Sequence, residues 1–274
     1  EEKEPVKEEE EVPTMKKRII CLALAVIMAL SLCACGGGGK YTVAKTIENQ
    51  KYSIGFRNGD STYHYIDKAL KEISASGAIS DLSYKWFGSE NAVSFPKDKD
   101  AMAELGYVAP REFIIGVDLD SFPMCFKSGD NYDGFDIELA RMVCEKLGWA
   151  LKIQPIHSEN AFIELNSGNI DCAWGGVVLD SSSRDYTILF TYMSNKLVIA
   201  GQKRIGSSLR GKTLYVSPSQ SYIDILGQQN NVLDKLGQVT KVRGGTVDFF
   251  DYLDNGACDL IVTTSSAVSY YNNN

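Results

Sequence analysis

The stretch FIIGVDLDSFPMCFKSGDNYDGFDIELARMVCEKLG occupies residues 113–148 and decides the fold class. Its first five residues have the apolar character of a short buried strand, and residues 135–147 carry apolar side chains at helical spacing. Gly148 is placed to end that helix. A buried strand followed closely by an amphipathic helix indicates one unit of an α/β fold.

Similar patterns alternate along the rest of the chain. The predicted strands are at 151–155, 170–174, 212–216 and 260–263, and the predicted helices are at 61–76, 161–165, 219–226 and 247–253. This alternation predicts mainly parallel sheets flanked by helices. Two such units joined by extended segments predict two lobes, with a ligand cleft beyond the carboxyl ends of the strands.

Composition excludes several classes of function. The 274 residues carry a formal net charge of -7 without a basic stripe, so nucleic acid is not an expected partner. The chain has only two histidines, His64 and His157, and no CxxC pair, so neither a metal nor another cofactor is expected. Four cysteines outside the first 35 residues lie far apart in apolar patterns, which predicts buried free thiols: Cys125, Cys144, Cys172 and Cys258.

The first 35 residues look like processing sequence. Residues 1–14 are Glu-rich and predict a disordered segment, whereas residues 15–35 combine a basic start, a short apolar run and small residues, as a signal peptide does. The last four residues, 32–35, resemble a bacterial lipobox. That resemblance implies lipidation of Cys35 and a membrane-anchored protein on the outer face of the cytoplasmic membrane or in the periplasm. A plain secretory cleavage site and an uncleaved anchor are the alternatives.

Four segments in order carry a resemblance to a known family. Residues 114–148, 155–176, 184–193 and 209–222 resemble the periplasmic amino-acid-binding proteins of ABC importers, also called solute-binding protein family 3. The resemblance implies the two-lobed type II periplasmic-binding-protein fold. It also implies a monomer that captures an amino acid or related small carboxylate by cleft closure and delivers it to ABC permease subunits.

The order of the segments departs from that family. Residues 40–88 resemble its C-terminal segment, yet here they precede the first lobe, so we expect a circular permutation. A truncated tandem copy is the alternative. Under permutation, lobe 1 comprises residues 52–192, and lobe 2 comprises residues 197–274 plus 40–47. The hinges then lie near 47–51 and 193–196.

The family resemblance also implies a set of ligand contacts. Arg184 corresponds to a carboxylate-binding arginine, whose planar guanidinium can donate two parallel hydrogen bonds. A carbonyl near Gly176 is expected to meet the ligand ammonium, and Ser181 stands near a position that often binds the carboxylate. The other expected contacts are Asp118, Phe122, Met124, Trp174, Ser221 and Thr264. Core packing, turn formation and helix capping remain alternative roles for several of them.

Two other functional classes are open to the same sequence. A dehydratase-like enzyme on this fold would need a positioned acid or base, for which Asp118, His157 and Glu159 are the candidates. No nucleophile, metal set or phosphate loop accompanies them, so a non-enzymatic protein is expected. A ligand-sensing module for a membrane partner is the other alternative, because lobes that close can also report occupancy.

Overall fold

Two strands of 17 residues run antiparallel through the centre of the main sheet in the computed structural model. The structure describes residues 39–218, 220–229, 231–243 and 245–274. For Gln220 and Ser221 it describes the backbone alone. Strand β1 spans Tyr41–Arg57 and strand β7 spans Tyr186–Gln202. Their register begins with Tyr41 opposite Gln202 and ends with Arg57 opposite Tyr186. The predicted disordered segment, the predicted signal peptide and Cys35 lie outside the described residues.

Six shorter strands complete the main sheet. They are β2 (Glu112–Val117), β5 (Ala150–Pro155), β6 (Cys172–Ala173), β8 (Thr213–Val216), β9 (Gln238–Lys241) and β10 (Leu260–Thr264). The order across the sheet is β5-β2-β6-β1-β7-β10-β8-β9, and a separate hairpin is formed by β3 (Phe126–Ser128) and β4 (Asn131–Asp133).

The sheet is mixed. Strand β2 is parallel to β5 and β6, and strand β8 is parallel to β9 and β10. The two long strands pair antiparallel with each other and with the flanking strands β6 and β10. The prediction of mainly parallel sheets therefore holds for the outer strands on each side and fails at the centre.

Helices connect the parallel strands, as βαβ units require. They are α1 (Thr62–Ala75), α2 (Ala78–Phe87), α3 (Phe135–Leu147), α4 (Ala161–Ser167), α5 (Gln220–Gln228), α6 (Thr246–Asn255) and α7 (Ser265–Asn273). The predicted helix at 135–147 is confirmed as α3, which ends at Gly148 with φ of 69°. The predicted helix at 61–76 is also confirmed as α1, and the apolar residues that recur at helical spacing along it, Ile66, Ala69, Leu70 and Ile73, are buried. The predicted strand at 170–174 is shorter, with two residues paired.

The hydrophobic core changes along both long strands. On β1, Tyr52 packs in one buried cluster with Phe113 and Trp174, whereas Ile47 packs in another with Leu214. On β7, Tyr192 and Met193 belong to the first cluster, whereas Leu197 and Val198 belong to clusters around β8 and α6. We call the part with β2, β5 and β6 the first half of the sheet and the part with β8, β9 and β10 the second half.

The changes of core fall within the predicted hinge segments 47–51 and 193–196. The described residues nevertheless pack as one compact unit, and the exact lobe boundaries stay a prediction. Asn195 lies at this crossing and is 3% exposed. Its amide donates to the Tyr52 hydroxyl (3.1 Å) and to Ser266 Oγ (2.8 Å), so it joins both long strands to the start of α7.

The predicted buried free thiols are confirmed, because Cys125, Cys144, Cys172 and Cys258 are all buried and unpaired with one another. Among the helices that the structure describes, none has the length and apolar character needed to cross a bilayer.

Candidate functional site

A cavity of about 200 Å³ lies where the parallel strands of the first half end. Its lining comes from β1, from the segments after β2, β5 and β6, and from α5 of the second half: Glu48, Gln50, Asp118, Asp120, Ser121, His157, Ser158, Glu159, Val178, Tyr222 and Ile225. Ligands of open α/β sheets bind at such carboxyl ends. We call this space the main cavity. A larger cavity, about 650 Å³, lies elsewhere beside Lys45 and Arg210.

Asp118 is fixed in position by the turn that follows β2. Its backbone N–H donates to the Gly175 carbonyl at 2.9 Å. One carboxylate oxygen accepts the Asp120 N–H at 3.1 Å, and the other accepts the N–H and the hydroxyl of Ser158, at 2.9 and 2.6 Å. Asp118 therefore joins the two loops that line the first half of the main cavity.

Asp136 supports the floor of the site from the second residue of α3. It is fully buried, and its carboxylate accepts the Tyr192 hydroxyl at 2.6 Å, the Gly176 N–H at 2.8 Å and Trp174 Nε1 at 3.3 Å. Burial raises the pKa of Asp136 from its ordinary value of 3.8 to about 7, and these three hydrogen bonds oppose the rise. The carboxylate thereby fixes the backbone of Gly176, which is hydrogen-bonded to the cavity-lining residue Ser121.

The main cavity is acidic. Four carboxylates line it, those of Glu48, Asp118, Asp120 and Glu159, and none of the described lining residues is a lysine or an arginine. Burial raises the pKa of Asp120, and the nearby Asp118 charge raises it further, against the lowering effects of Ser217 and His157. Such a concentration of negative charge in a partly enclosed space favours a cationic ligand.

One group of side chains in this region has donors that a metal ion could use. Asp118, Asp120 and His157 each offer one ligand atom, and these atoms lie within 4.8 Å of one another. Both oxygens of Asp118 already accept hydrogen bonds, and His157 is exposed. A metal ion would therefore have to compete with the contacts that shape the loop.

Sequence comparison places this architecture in a family. The profile of the bacterial extracellular solute-binding proteins, family 3, matches residues 113–260, which is more than half of the chain. The chain belongs to this family. The fold is accordingly the α/β type II periplasmic-binding-protein fold, and the predicted resemblance is confirmed. The family is described as extracellular solute-binding proteins, which agrees with the expectation of a non-enzymatic protein.

Individual family 3 proteins match over part of their length. The arginine-binding extracellular protein ArtP of Bacillus subtilis is 27% identical over 113 residues, which are 39% of this chain and 44% of ArtP. The chain thus spans less than half of that relative.

Two solved structures are similar to the chain over a longer stretch. An ABC uptake transporter substrate-binding protein of Streptococcus pneumoniae with bound histidine is 27% identical, with a TM-score of 0.43 over 58% of this chain and 68% of that one. A polar amino acid ABC uptake transporter substrate-binding protein of Streptococcus thermophilus is 24% identical, with a TM-score of 0.38 over 56% and 61%.

The expected ligand contacts occupy different environments in this family 3 chain. Asp118 lines the main cavity. Gly176 does not line it but packs against Ser121, which does. Its φ of 66° suits glycine, and an added Cβ would stand 2.2 Å from the Ser121 Cβ. The Gly176 carbonyl, expected to meet the ligand ammonium, accepts the Ser121 hydroxyl at 2.7 Å.

Three of the expected contacts pack in the core. Met124 and Trp174 are fully buried in the first-half cluster. Phe122 is 3% exposed and crosses to the second half, where its ring lies 5.0 Å from that of Tyr270 and 5.4 Å from that of Tyr271. None of the three lines the main cavity, and a ligand contact by them stays a prediction.

Thr264 is engaged in helix capping. It is 2% exposed, and its hydroxyl oxygen accepts the Ala267 N–H at 3.2 Å as the N-cap of α7. The same hydroxyl bonds to the Phe122 carbonyl at 3.1 Å. These contacts fix the end of β10 against the first half.

Arg184 and Ser181 are exposed in the segment before β7 and do not line the main cavity. The Arg184 carbonyl accepts the Asn58 amide at 2.7 Å. The binding of a ligand carboxylate by the Arg184 guanidinium, which we call the carboxylate clamp, therefore stays a prediction. The side chain of Ser221 lies outside the described residues, so its expected contact also stays a prediction.

Sequence reasoning missed several lining residues. Asp120 could have been found, because it follows Asp118 by two positions directly after a predicted strand. Glu48 and Gln50 come from β1, and Tyr222 from α5, which are distant in sequence from the loop after β2. Only the tertiary structure brings these three side chains to the cavity.

The variant Asp136→Asn tests the buried carboxylate. Because its pKa is raised to about 7, the folded chain binds more protons than the unfolded chain between about pH 4 and pH 7. The free energy of unfolding of the parent should therefore fall with rising pH, by roughly 4 kcal/mol from this group. Urea unfolding measured from pH 4 to pH 7 should show the free energy of unfolding of the variant rising relative to that of the parent, by roughly the same 4 kcal/mol.

Asp130→Asn is the matched control, since Asp130 is exposed in the β3–β4 turn. Its difference from the parent should stay constant with pH. A constant difference for Asp136→Asn would contradict the raised pKa.

Proposed function

We propose that this family 3 protein captures an amino acid or related small solute outside the cytoplasmic membrane and delivers it to an ABC importer. The acidic main cavity, lined from both halves of the sheet, is the observation that carries this proposal. Its volume of about 200 Å³ suits a small solute. Family membership and the name of the relative ArtP, an arginine-binding protein, support an amino acid.

Capture depends on closure of the two halves around the ligand. The connections between the halves are the two long strands, and the buried clusters change near Ile47 on β1 and after Met193 on β7. Segments that run from one buried cluster to another are where hinge bending is expected. Tyr222 and Ile225 of α5 face the loops of the first half across the cavity, so a ligand there contacts both halves. A ligand that binds both halves favours the closed state.

The binding function is tested by thermal unfolding with a panel of amino acids, small carboxylates and sugars. A ligand at a hundred times its Kd should stabilise the folded chain by about 2.7 kcal/mol. We expect an amino acid to give this shift and Asp118→Asn to reduce it, with Asp130→Asn matching the parent. Failure of every amino acid to raise the unfolding temperature would contradict the proposal.

The same assay tests the carboxylate clamp. A reduced shift in Arg184→Ala would support a role for the guanidinium in closure, and an unchanged shift would remove it. Conversion of the ligand to a product would favour the enzyme instead.

We also propose that the segment order is a circular permutation of the family. In the first half, β2 comes before β5 and β6 in the chain and lies between them in the sheet. In the second half, β8 likewise lies between β9 and β10. The start of β1 pairs with the end of β7 and so adds the last strand to the second half, although β1 comes first in the chain. The start of β1 lies beside the end of α7. Tyr41 N–H donates to Asn272 Oδ1 at 2.9 Å, and the Asn272 amide donates to the Tyr41 carbonyl at 3.0 Å.

A rearranged chain tests the permutation. It begins at residue 89, runs to Asn274 and continues through a short glycine linker into residues 39–88. We expect it to fold with the same ligand response, because both new ends lie in exposed positions. A chain reopened between residues 115 and 116, inside β2, is the control that should not fold. Loss of folding in the first rearrangement would contradict the permutation.

We propose lipid anchoring through Cys35, on the lipobox-like residues 32–35. In bacterial cells, the full chain should partition with membranes and Cys35→Ser should move to the soluble fraction, because the lipidated thiol is lost. Cys33→Ser, two positions earlier, is the control and should stay with the membranes. Membrane association of Cys35→Ser equal to the parent would contradict the anchor.

A further inference from the structure

A second, much smaller space adjoins the main cavity and shares Asp120 and Tyr222 with it. Its volume is about 10 Å³, which is roughly the minimum needed to hold one group of the size of a water molecule. Ser217 follows the end of β8 and Thr263 lies near the end of β10, and both line this space from the second half. We call it the side niche. It has room for a single small polar group.

Thr263 places an unsatisfied hydroxyl at the side niche. The residue is 6% exposed, and its Oγ1 has no hydrogen-bond partner among the described residues. No other described side chain has such an orphaned buried oxygen or nitrogen. A buried hydroxyl without a partner destabilises the folded chain, so its presence beside a binding cavity points to a ligand group as the partner.

Asp120 brings a carboxylate to the same niche from the first half. One of its oxygens accepts the Ser217 hydroxyl at 3.3 Å, which joins the two halves. Asp120 is half-buried close to Asp118, and a second nearby negative charge makes an anion there costly unless a cation accompanies it. The neighbouring Thr264 hydroxyl is already committed to Ala267 and Phe122.

We propose that Asp120, Ser217 and Thr263 form a seat for a primary ammonium group of the ligand. An ammonium has one heavy atom and three N–H donors, which matches the size of the niche and three oxygen acceptors. A planar guanidinium is too large for it. Because four carboxylates line the main cavity, the preferred ligand is a small aliphatic solute with net positive charge. This inference rests on the proposed binding function and names its ligand class.

The seat also explains how the ligand would stabilise closure. Asp120 belongs to a loop of the first half, whereas Ser217 and Thr263 follow or end strands of the second half. The three acceptors therefore meet when the halves approach each other. An ammonium between them would offset the negative charge of Asp120 and donate hydrogen bonds to both halves.

Titration calorimetry with L-lysine and with butane-1,4-diamine tests the seat. The counterpart of lysine is norleucine, which lacks the side-chain ammonium, and the counterpart of the diamine is butane-1,4-diol, which has hydroxyls in place of both ammonium groups. We expect at least one of the two cationic probes to bind more tightly than its counterpart. For that probe, Asp120→Asn should weaken binding by about 30-fold or more, the usual result of removing one partner of a buried charge pair. Asp130→Asn should leave binding unchanged.

Thr263→Val separates the seat from a purely structural role of the hydroxyl. The ligand-free variant should be as stable as the parent or more stable, since an unsatisfied polar group is removed. The same variant should bind the cationic probe about tenfold more weakly, because a hydrogen bond to a charged group is lost. Thr263→Ser keeps the hydroxyl and should restore affinity.

The outcomes distinguish the seat from the wider function. Binding of neutral or acidic amino acids without either cationic probe would overturn the seat and leave the binding function in place. Equal affinity of the parent, Asp120→Asn and Thr263→Val for a cationic probe would also overturn the seat. Failure of all twenty amino acids and the diamine to bind would overturn both proposals.

Discussion

The pairing of β1 with β7 is the constraint on which the rest of the structure depends. The pairing runs from Tyr41 opposite Gln202 to Arg57 opposite Tyr186. All the other strands of the main sheet attach to one side or the other of this pair. Since the pair belongs to both halves, it fixes which loops of the first half face α5 of the second, and so it determines where the main cavity lies.

Two carboxylates near the site show opposite solutions to the cost of burying charge. Asp136 is fully buried and receives three hydrogen bonds from Tyr192, Gly176 and Trp174. Asp120 is less buried, and its carboxylate accepts a hydrogen bond from the Ser217 hydroxyl. The first carboxylate is complete within the protein and acts as support. The second leaves room for a cationic partner, as expected of a binding group.

The helical and strand segments were largely predictable because their signals are local. The apolar spacing of α3 and the glycine that ends it are visible in sequence, and so is the inward face of α1 around Ile66 and Leu70. The shortness of β6 was not predictable, because its pairing depends on β1 and β2, which lie far away in the chain. The antiparallel centre of the sheet was missed for the same reason.

The features of the site also separate into those with a local sequence signal and those that depend on contacts between distant segments. The sequence by itself determined the family, the α/β class and the position of Asp118 at the end of a strand, because each depends on a local pattern of residues. Only the tertiary structure decided that Glu48 and Tyr222 share a cavity with Asp118, that Thr264 is used as a helix cap, and that Thr263 keeps an unpartnered hydroxyl. These are properties of long-range packing, and which partner each polar atom finds is settled only when distant segments meet.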